Sequence, residues 1–212
     1  MDKDKVQFFD KLPDNGQFVY VMGVDLGGGR AYDAVVLIAY DIYERKSYVV
    51  KEWEGPTDGR TLEHLASRIK GMVLEVGEVS HISVDFGGLG SRLAYILQTN
   101  YGITNIHPAE KSTKMAYLEE LRTEIHTGRL LFRRESLLVK EFPQIFYTED
   151  QTEIDDENGL HSDLIDACLY STRYLFNKYP KERPVKKTHA EKEIERRLGL
   201  DAKRKKQFRS AF

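Results

Sequence analysis

Apolar and polar residues along the chain follow a strand pattern and then a helix pattern, in an order that predicts an α/β domain. Three runs rich in β-branched residues come first, over 17–25, 31–43 and 46–54, and the short joins between them predict an antiparallel meander. Helical and short strand segments then alternate. The predicted helices cover 61–76, 91–100, 111–128, 136–146 and 161–179, and the later strands cover 81–85, 102–108 and 130–132. This order predicts a mixed central β-sheet flanked by helices.

Charge is unevenly distributed along the 212 residues and divides the chain into three segments. Residues 1–16 are polar and end in a turn signal, so we expect a lead-in or linker there. Residues 180–212 carry 12 Lys and Arg against 5 Asp and Glu, whereas residues 1–179 carry 20 against 29. We expect the folded domain over 17–179, followed by a basic tail that either binds an anionic partner or is simply solvated.

Cysteine usage and hydropathy indicate a soluble, intracellular protein without a membrane partner. Cys168 is the one cysteine, so no internal disulfide can form. The first five residues are mostly charged and do not resemble a secretory signal. No apolar run approaches the roughly 20 residues that a transmembrane helix needs.

Carboxylates stand at the ends of two predicted strands and at the start of the last predicted helix. Asp25 and Asp85 each end a strand and precede glycines, whereas Asp163 opens the helix and Asp166 follows one turn later. Strand ends at one edge of a sheet can be neighbours, and carboxylate oxygens are the ligands that Mg²⁺ and Mn²⁺ prefer. A pair of such ions stabilises both the attacking and the leaving oxygen of a phosphoryl displacement. The four acids together favour a metal-dependent nuclease site.

Each acid also has an ordinary structural interpretation. Asp25 and Asp85 can be turn formers, and Asp163 can be a helix cap. Asp166 can simply favour the helix dipole or pair with a neighbouring residue. The glycines after Asp25 also resemble the first phosphate loop of actin-like and sugar-kinase ATPases, but that fold needs a second phosphate loop and a longer chain. The sequence contains no Walker A pattern, and its six His and one Cys show no zinc-ligand spacing.

Three motifs resemble the C-terminal nuclease domain of the large terminase subunit of tailed bacteriophages. They are GVDLGGGRAYD at 23–33, SVDFGGLG at 83–90 and HSDLIDA at 161–167, and the resemblance covers residues 18–178. It implies a ribonuclease H-like fold and a two-metal endonuclease that cuts concatemeric viral DNA during genome packaging. It also implies that Asp25, Asp85 and Asp163 bind Mg²⁺ or Mn²⁺ and that Asp166 supports them. Asp33 stands where relatives often carry Ser or Thr and receives no catalytic role.

The same resemblance implies a substrate and partners. We expect double-stranded DNA as the substrate, and the packaging ATPase domain, the small terminase subunit and the portal as partners in the host-cell cytoplasm. These residues include no packaging ATPase, so the chain is either an excised nuclease domain or a stand-alone relative. We expect an excised domain, because a small acidic body would bind DNA poorly by itself. The predicted phosphate contacts are Arg30, Lys111, Lys114, Arg129, Arg133 and Arg134. The acidic stretch 149–157 is interpreted as a flap that repels DNA when the domain is idle.

Two other classes of function remain open from the sequence. One is another ribonuclease H-like enzyme, such as a junction resolvase or a transposase-type strand transferase, which cleavage of branched against linear DNA, or strand joining, would distinguish. The other is a non-catalytic docking module whose basic tail binds nucleic acid or a protein.

Overall fold

The computed structural model describes residues 5–27, 32–56, 62–142 and 163–179. None of the helices in these ranges is long and apolar enough to cross a bilayer. In chain order, the elements are β1 (Gln7–Phe8), β2 (Phe18–Asp25), β3 (Tyr32–Asp41), β4 (Lys46–Pro56), α1 (Leu62–Val76), β5 (His81–Val84), α2 (Gly90–Tyr101), β6 (Ile106–Pro108), α3 (Lys114–His126), β7 (Leu130–Phe132), α4 (Leu137–Glu141) and α5 (Asp163–Lys178).

The strands form one mixed sheet in the order β1-β7-β4-β3-β2-β5-β6. Strands β2, β3 and β4 form the predicted antiparallel meander. Strand β5 joins β2 in parallel and β6 joins β5 in parallel, whereas β7 lies parallel to β4 on the other side. The parallel pairing of β2 with β5 brings the carboxyl ends of both strands to the same edge of the sheet. The predicted α/β fold with a mixed sheet is confirmed.

Helices cover both faces of the sheet, and the strands supply alternate side chains to each face. Met22 and Val24 of β2 pack in one core layer with α1 and α2. Val21 of the same strand packs in a second layer with α3, α4 and α5. Gly23 and Asp25 share the side of β2 on which Val21 lies, because residues of one parity point to one face. The last residue of β2 therefore faces the helix that begins with Asp163.

The structure differs from the predicted elements mainly at short or polar segments. The lead-in is more than a linker over its described part, since Gln7–Phe8 adds an edge strand to β7 and buries Phe9. Helix α4 ends at Glu141, short of the predicted limit at 146, and residues 143–162 lie outside the described ranges. Helix α3 begins at Lys114 after an irregular segment, so the lysines there are not one continuous helical face. The proposed flap at 149–157 and the basic tail also lie outside the described residues.

Candidate active site

Asp25 and Asp85 lie side by side at the carboxyl edge of the sheet. Val24 of β2 is in register with Val84 of β5, and each carboxylate residue follows directly. The Asp85 backbone N–H donates to the carbonyl of Val24 at 3.2 Å, which continues the pairing by one step. This register brings together two acids that are 60 positions apart in the sequence, at strand ends that the sequence pattern allowed to be neighbours.

Helix α5 brings Asp163 and Asp166 to the same edge because it packs very closely on β2. A Cβ atom placed on Gly23 would lie 2.8 Å from the carbonyl carbon of Ala167 and 2.9 Å from the amide nitrogen of Ser171, and closer still to the Ala167 oxygen. A side chain at position 23 would therefore collide with the helix backbone. Glycine within a strand often marks such an approach of another backbone.

Asp25 is the buried centre of the acidic group. Only 8% of the Asp25 surface is exposed to solvent. Burial and the nearby carboxylates of Asp166, Asp163 and Asp85 raise the pKa of Asp25 from 3.8 to about 7, whereas Lys111 opposes the rise. Four acids at one edge repel one another, and a bound cation relieves such repulsion.

Backbone amides hold two of the other carboxylates. Asp85 Oδ1 accepts from the backbone N–H of Gly87 at 2.8 Å, and Asp163 Oδ2 accepts from that of Tyr32 at 3.1 Å. Gly90 allows α2 to start against this turn, because a Cβ atom there would lie 2.7 Å from the Asp85 carbonyl carbon. The glycines that follow Asp85 thus position a site residue.

Two lysines that were predicted to contact DNA form ion pairs with carboxylates of the acidic group. Lys111 Nζ is 2.6 Å from Asp85 Oδ2, and Lys114 Nζ is 2.8 Å from Asp166 Oδ1. Among the side chains that the structure describes, no three His, Cys, Asp or Glu residues are arranged to hold one ion as they stand. A metal ion would therefore require side-chain adjustment and the release of Asp85 and Asp166 from their lysines. The donor set, made only of carboxylate oxygens, fits Mg²⁺ or Mn²⁺.

The other predicted phosphate contacts lie elsewhere or outside the described ranges. Arg129 forms a forked ion pair with Glu124 at 2.8 and 2.9 Å and lies beside Ser47, at the end of β4 remote from the carboxylates. Arg133 donates to the Val50 carbonyl and stacks over Phe9, whereas Arg134 pairs with Asp10 at 3.2 Å. Arg30 lies outside the described residues.

Two further acids, Glu54 and Glu141, border the site and were not predicted from the sequence. Glu54 shares a cross-strand row with Asp25, because both residues pair with Ala34. Burial, followed by the nearby Glu54 and Asp163 carboxylates, raises the pKa of Glu141 to about 8. Both Glu141 carboxylate oxygens are buried without a hydrogen-bond partner. Neither residue stands out in the sequence, because Glu54 ends the predicted strand 46–54 in a polar stretch and Glu141 lies within a predicted helix.

Comparison with known proteins supports the fold at low sequence identity. No family model and no curated protein matches the chain. The solved nuclease of the large terminase from thermophilic phage G20c is 14% identical over 81% of this chain and 95% of that one, with a TM-score of 0.62. The large terminase nuclease domain of phage P22 is 18% identical over 84% and 91%, with a TM-score of 0.61.

Two further solved structures extend the comparison. The nuclease domain of the SPP1 large terminase, solved with bound Mn, is 20% identical over 74% of this chain and 86% of that chain, with a TM-score of 0.56. The large terminase of a second thermophilic bacteriophage is 17% identical, with a TM-score of 0.64; the match covers 83% of this chain and 44% of that one. The chain therefore has the ribonuclease H-like fold of the nuclease domains of phage large terminases, as its three motifs predicted.

Proposed function

We propose that this chain is the divalent-metal-dependent endonuclease domain of a viral genome-packaging terminase. It would cut concatemeric double-stranded DNA by two-metal hydrolysis. The observation that carries the proposal is the convergence of Asp25, Asp85 and Asp163 at one sheet edge, in a fold shared with terminase nucleases. A turn former or helix cap has no need of three other carboxylates beside it, so the grouping favours a functional site.

The acids have different surroundings, which suggests different contributions to ion binding. Asp25 is buried at the centre of the group and would hold an ion together with Asp85 and Asp163. Asp85 and Asp163 are each held through one oxygen by a backbone N–H. This restraint lowers the cost of ordering the two carboxylates around an ion. Asp166 lies one helical turn beyond Asp163 and supports the group from the side of Lys114.

When bound, two ions supply charge neutralisation at the phosphate and lower the pKa of the attacking water. The protein then needs no covalent nucleophile of its own. Its contribution is to hold the carboxylates on rigid strand ends and on a closely packed helix, so that the phosphate is positioned before reaction. Lys111 and Lys114 are paired with the acids of the site, which suits an enzyme that another component brings to DNA rather than one with tight DNA affinity of its own.

The proposed partners follow from the terminase assignment. The substrate is double-stranded DNA, the partners are a packaging ATPase domain, a small terminase subunit and a portal, and the location is the host-cell cytoplasm. The large terminase of the second thermophilic bacteriophage was also solved in complex with ADP, which supports an ATPase context for domains of this fold.

The test is conversion of supercoiled plasmid to linear DNA with Mn²⁺, comparing the wild type with Asp25→Asn, Asp85→Asn and Asp163→Asn. Asp14→Asn is the matched control, since Asp14 is an exposed carboxylate paired with Lys11. We expect each site variant to lose at least about 100-fold in rate, as is typical when an essential electrostatic group is removed. Retention of the wild-type rate by any site variant would remove that residue from the site. Preferential cutting of four-way junctions would instead indicate a resolvase.

A further inference from the structure

The segment between β6 and α3 delivers two lysines to the acidic group. Strand β6 lies parallel to β5, with Pro108 in register with Val84. The backbone N–H of Ala109 donates to the Val84 carbonyl at 2.7 Å, so the chain leaves β6 at the edge where Asp85 lies. Lys111 is two residues further on. The contact between Lys111 and Asp85 is thus a consequence of the sheet topology, because the chain leaves β6 beside the carboxyl end of β5.

Each lysine uses carboxylate oxygens that a metal ion would also need. The backbone N–H of Gly87 donates to Asp85 Oδ1, and the ammonium group of Lys111 forms an ion pair with Asp85 Oδ2. Lys114 Nζ lies 2.8 Å from both oxygens of Asp166. A protonated lysine has donors only and cannot be a metal ligand. The ammonium group and a divalent ion therefore compete for the same oxygens.

The exposure of the partners indicates which group would move. The side chains of Asp85 and Asp166 are 16% and 17% exposed, whereas those of Lys111 and Lys114 are 54% and 35% exposed. The carboxylates are held on a strand end and a packed helix, but the lysines reach the site from the solvent side on flexible stems. Displacement would move the ammonium groups outward, to the surface where a DNA phosphate must approach.

We infer that Lys111 and Lys114 are positioning residues that act as resident counter-ions of Asp85 and Asp166, and that a divalent ion displaces them so that they can bind DNA phosphate. This inference rests on the proposed function, because it assumes a divalent ion at the site. The two lysines would thus have two successive partners, first the site carboxylates and then DNA phosphate. In the metal-free protein they neutralise the acids, and in the metal-bound protein they are released to the substrate. Metal binding would in this way increase DNA affinity.

The first test is calorimetric titration of the whole chain with Mn²⁺, comparing the wild type with Lys111→Gln and Lys114→Gln. Each Gln variant removes a competitor and should bind Mn²⁺ about fivefold more tightly, which corresponds to ~1 kcal/mol at 1.4 kcal/mol per tenfold. Lys111→Arg keeps the positive charge and should stay within about twofold of the wild type. Lys11→Gln is the remote control, because that lysine pairs with the exposed Asp14. In EDTA, the Gln variants should have a lower Tm than the wild type, and Mn²⁺ should remove the difference.

The second test is fluorescence anisotropy with a short DNA duplex, in Ca²⁺ or in EDTA. Ca²⁺ should raise the duplex affinity of the wild type and of Lys11→Gln, but much less that of the Lys111→Gln/Lys114→Gln double variant. Unchanged or weaker Mn²⁺ binding by the single Gln variants would overturn the inference and leave the proposed nuclease standing. Failure of the wild type to bind any divalent ion would overturn both.

Discussion

The close packing of α5 on β2 makes Gly23 the position at which a single methyl group should damage the site most. Gly23 lies two residues before Asp25, on the face of β2 that α5 covers. In Gly23→Ala, the new methyl would meet backbone atoms of Ala167 and Ser171 at 2.8 and 2.9 Å, and the Ala167 oxygen at a shorter distance. No side-chain rotation can relieve a contact with helix backbone, so the helix itself must move.

The size of the effect follows from these distances. Carbon atoms in contact are separated by ~3.5 Å or more, so α5 must retreat by roughly 1 Å. Overpacking of this kind costs about 1–3 kcal/mol, and backbone contact places the change at the upper end of that range. A displacement of roughly 1 Å at a catalytic group can lower activity about 100-fold. Asp163 and Asp166 move with the helix, so the variant should lose both stability and ion binding.

Two measurements and one matched control test this reasoning. Urea unfolding gives the free energy of unfolding, and Mn²⁺ titration of the folded variant gives the ion affinity. The control is Gly71→Ala in the middle of α1, where a Cβ atom would meet nothing within 4 Å. Because alanine favours a helix over glycine, this control should gain about 0.5–1 kcal/mol and bind Mn²⁺ normally.

Wild-type stability together with wild-type Mn²⁺ affinity in Gly23→Ala would refute the reasoning. It would mean that α5 lies farther from β2 than the structure places it. Loss of stability with unchanged ion affinity would refute only the second step, in which the helix carries the carboxylates with it.

Two further predictions concern groups outside the acidic site. His81 is stacked between His107 and Tyr174 at ring distances of 4.3 and 3.8 Å, and burial followed by His107 lowers its pKa to about 4. The unfolded chain therefore takes up a proton first, so the free energy of unfolding should fall as pH falls from 6.5 to 4. Because the imidazole is only half-buried, solvent screening should limit the loss to about 1–2 kcal/mol. Urea unfolding of His81→Phe should lack this part of the loss, and an identical pH profile would contradict the assignment. Arg129→Gln should lower stability by about 1–3 kcal/mol, because it removes the forked ion pair of the buried Glu124 carboxylate, yet leave duplex affinity within about twofold of the wild type. A fall in anisotropy-measured DNA affinity without a fall in stability would instead support the DNA contact predicted from the sequence.

Much of the fold could be predicted because each long element carries a clear hydrophobic period. The meander of β2, β3 and β4 and the helices α1 and α5 lie within a few residues of the predicted limits. These elements bury one face or both faces in the core, so apolar residues must recur along them with the period of the strand or helix. Strand β1 has only two residues and sits in a polar segment, and its pairing with β7 is a non-local event that no local pattern indicates.

The acidic group could be predicted in part for the same reason. Asp25 and Asp85 end strands, and the end of a buried strand is visible in the sequence. Their alignment depends on the register of β2 with β5, which the sequence does not specify. The role of Gly23 was also missed, since a glycine within an apolar strand does not reveal which backbone lies against it.

The basic residues were the least predictable part. Lys111, Lys114 and Arg129 were all predicted to contact DNA phosphate, but each forms an ion pair with an acid at least five positions away. Tertiary structure determines which acid each cation contacts, so the number and sequence positions of the charges do not predict these ion pairs. A cation that follows a strand or opens a helix is equally compatible with DNA and with a nearby carboxylate.

The most direct test of the central claim is an anomalous difference map from a crystal of this chain soaked in Mn²⁺. We expect two peaks about 3.5–4 Å apart at the carboxyl edge of β2 and β5. Oxygens of Asp25, Asp85 and Asp163 should lie roughly 2.0–2.2 Å from the ions, with Lys111 turned away from Asp85. Peaks located only elsewhere, or an Asp163 carboxylate that contacts no ion, would contradict a two-metal site formed by these three aspartates.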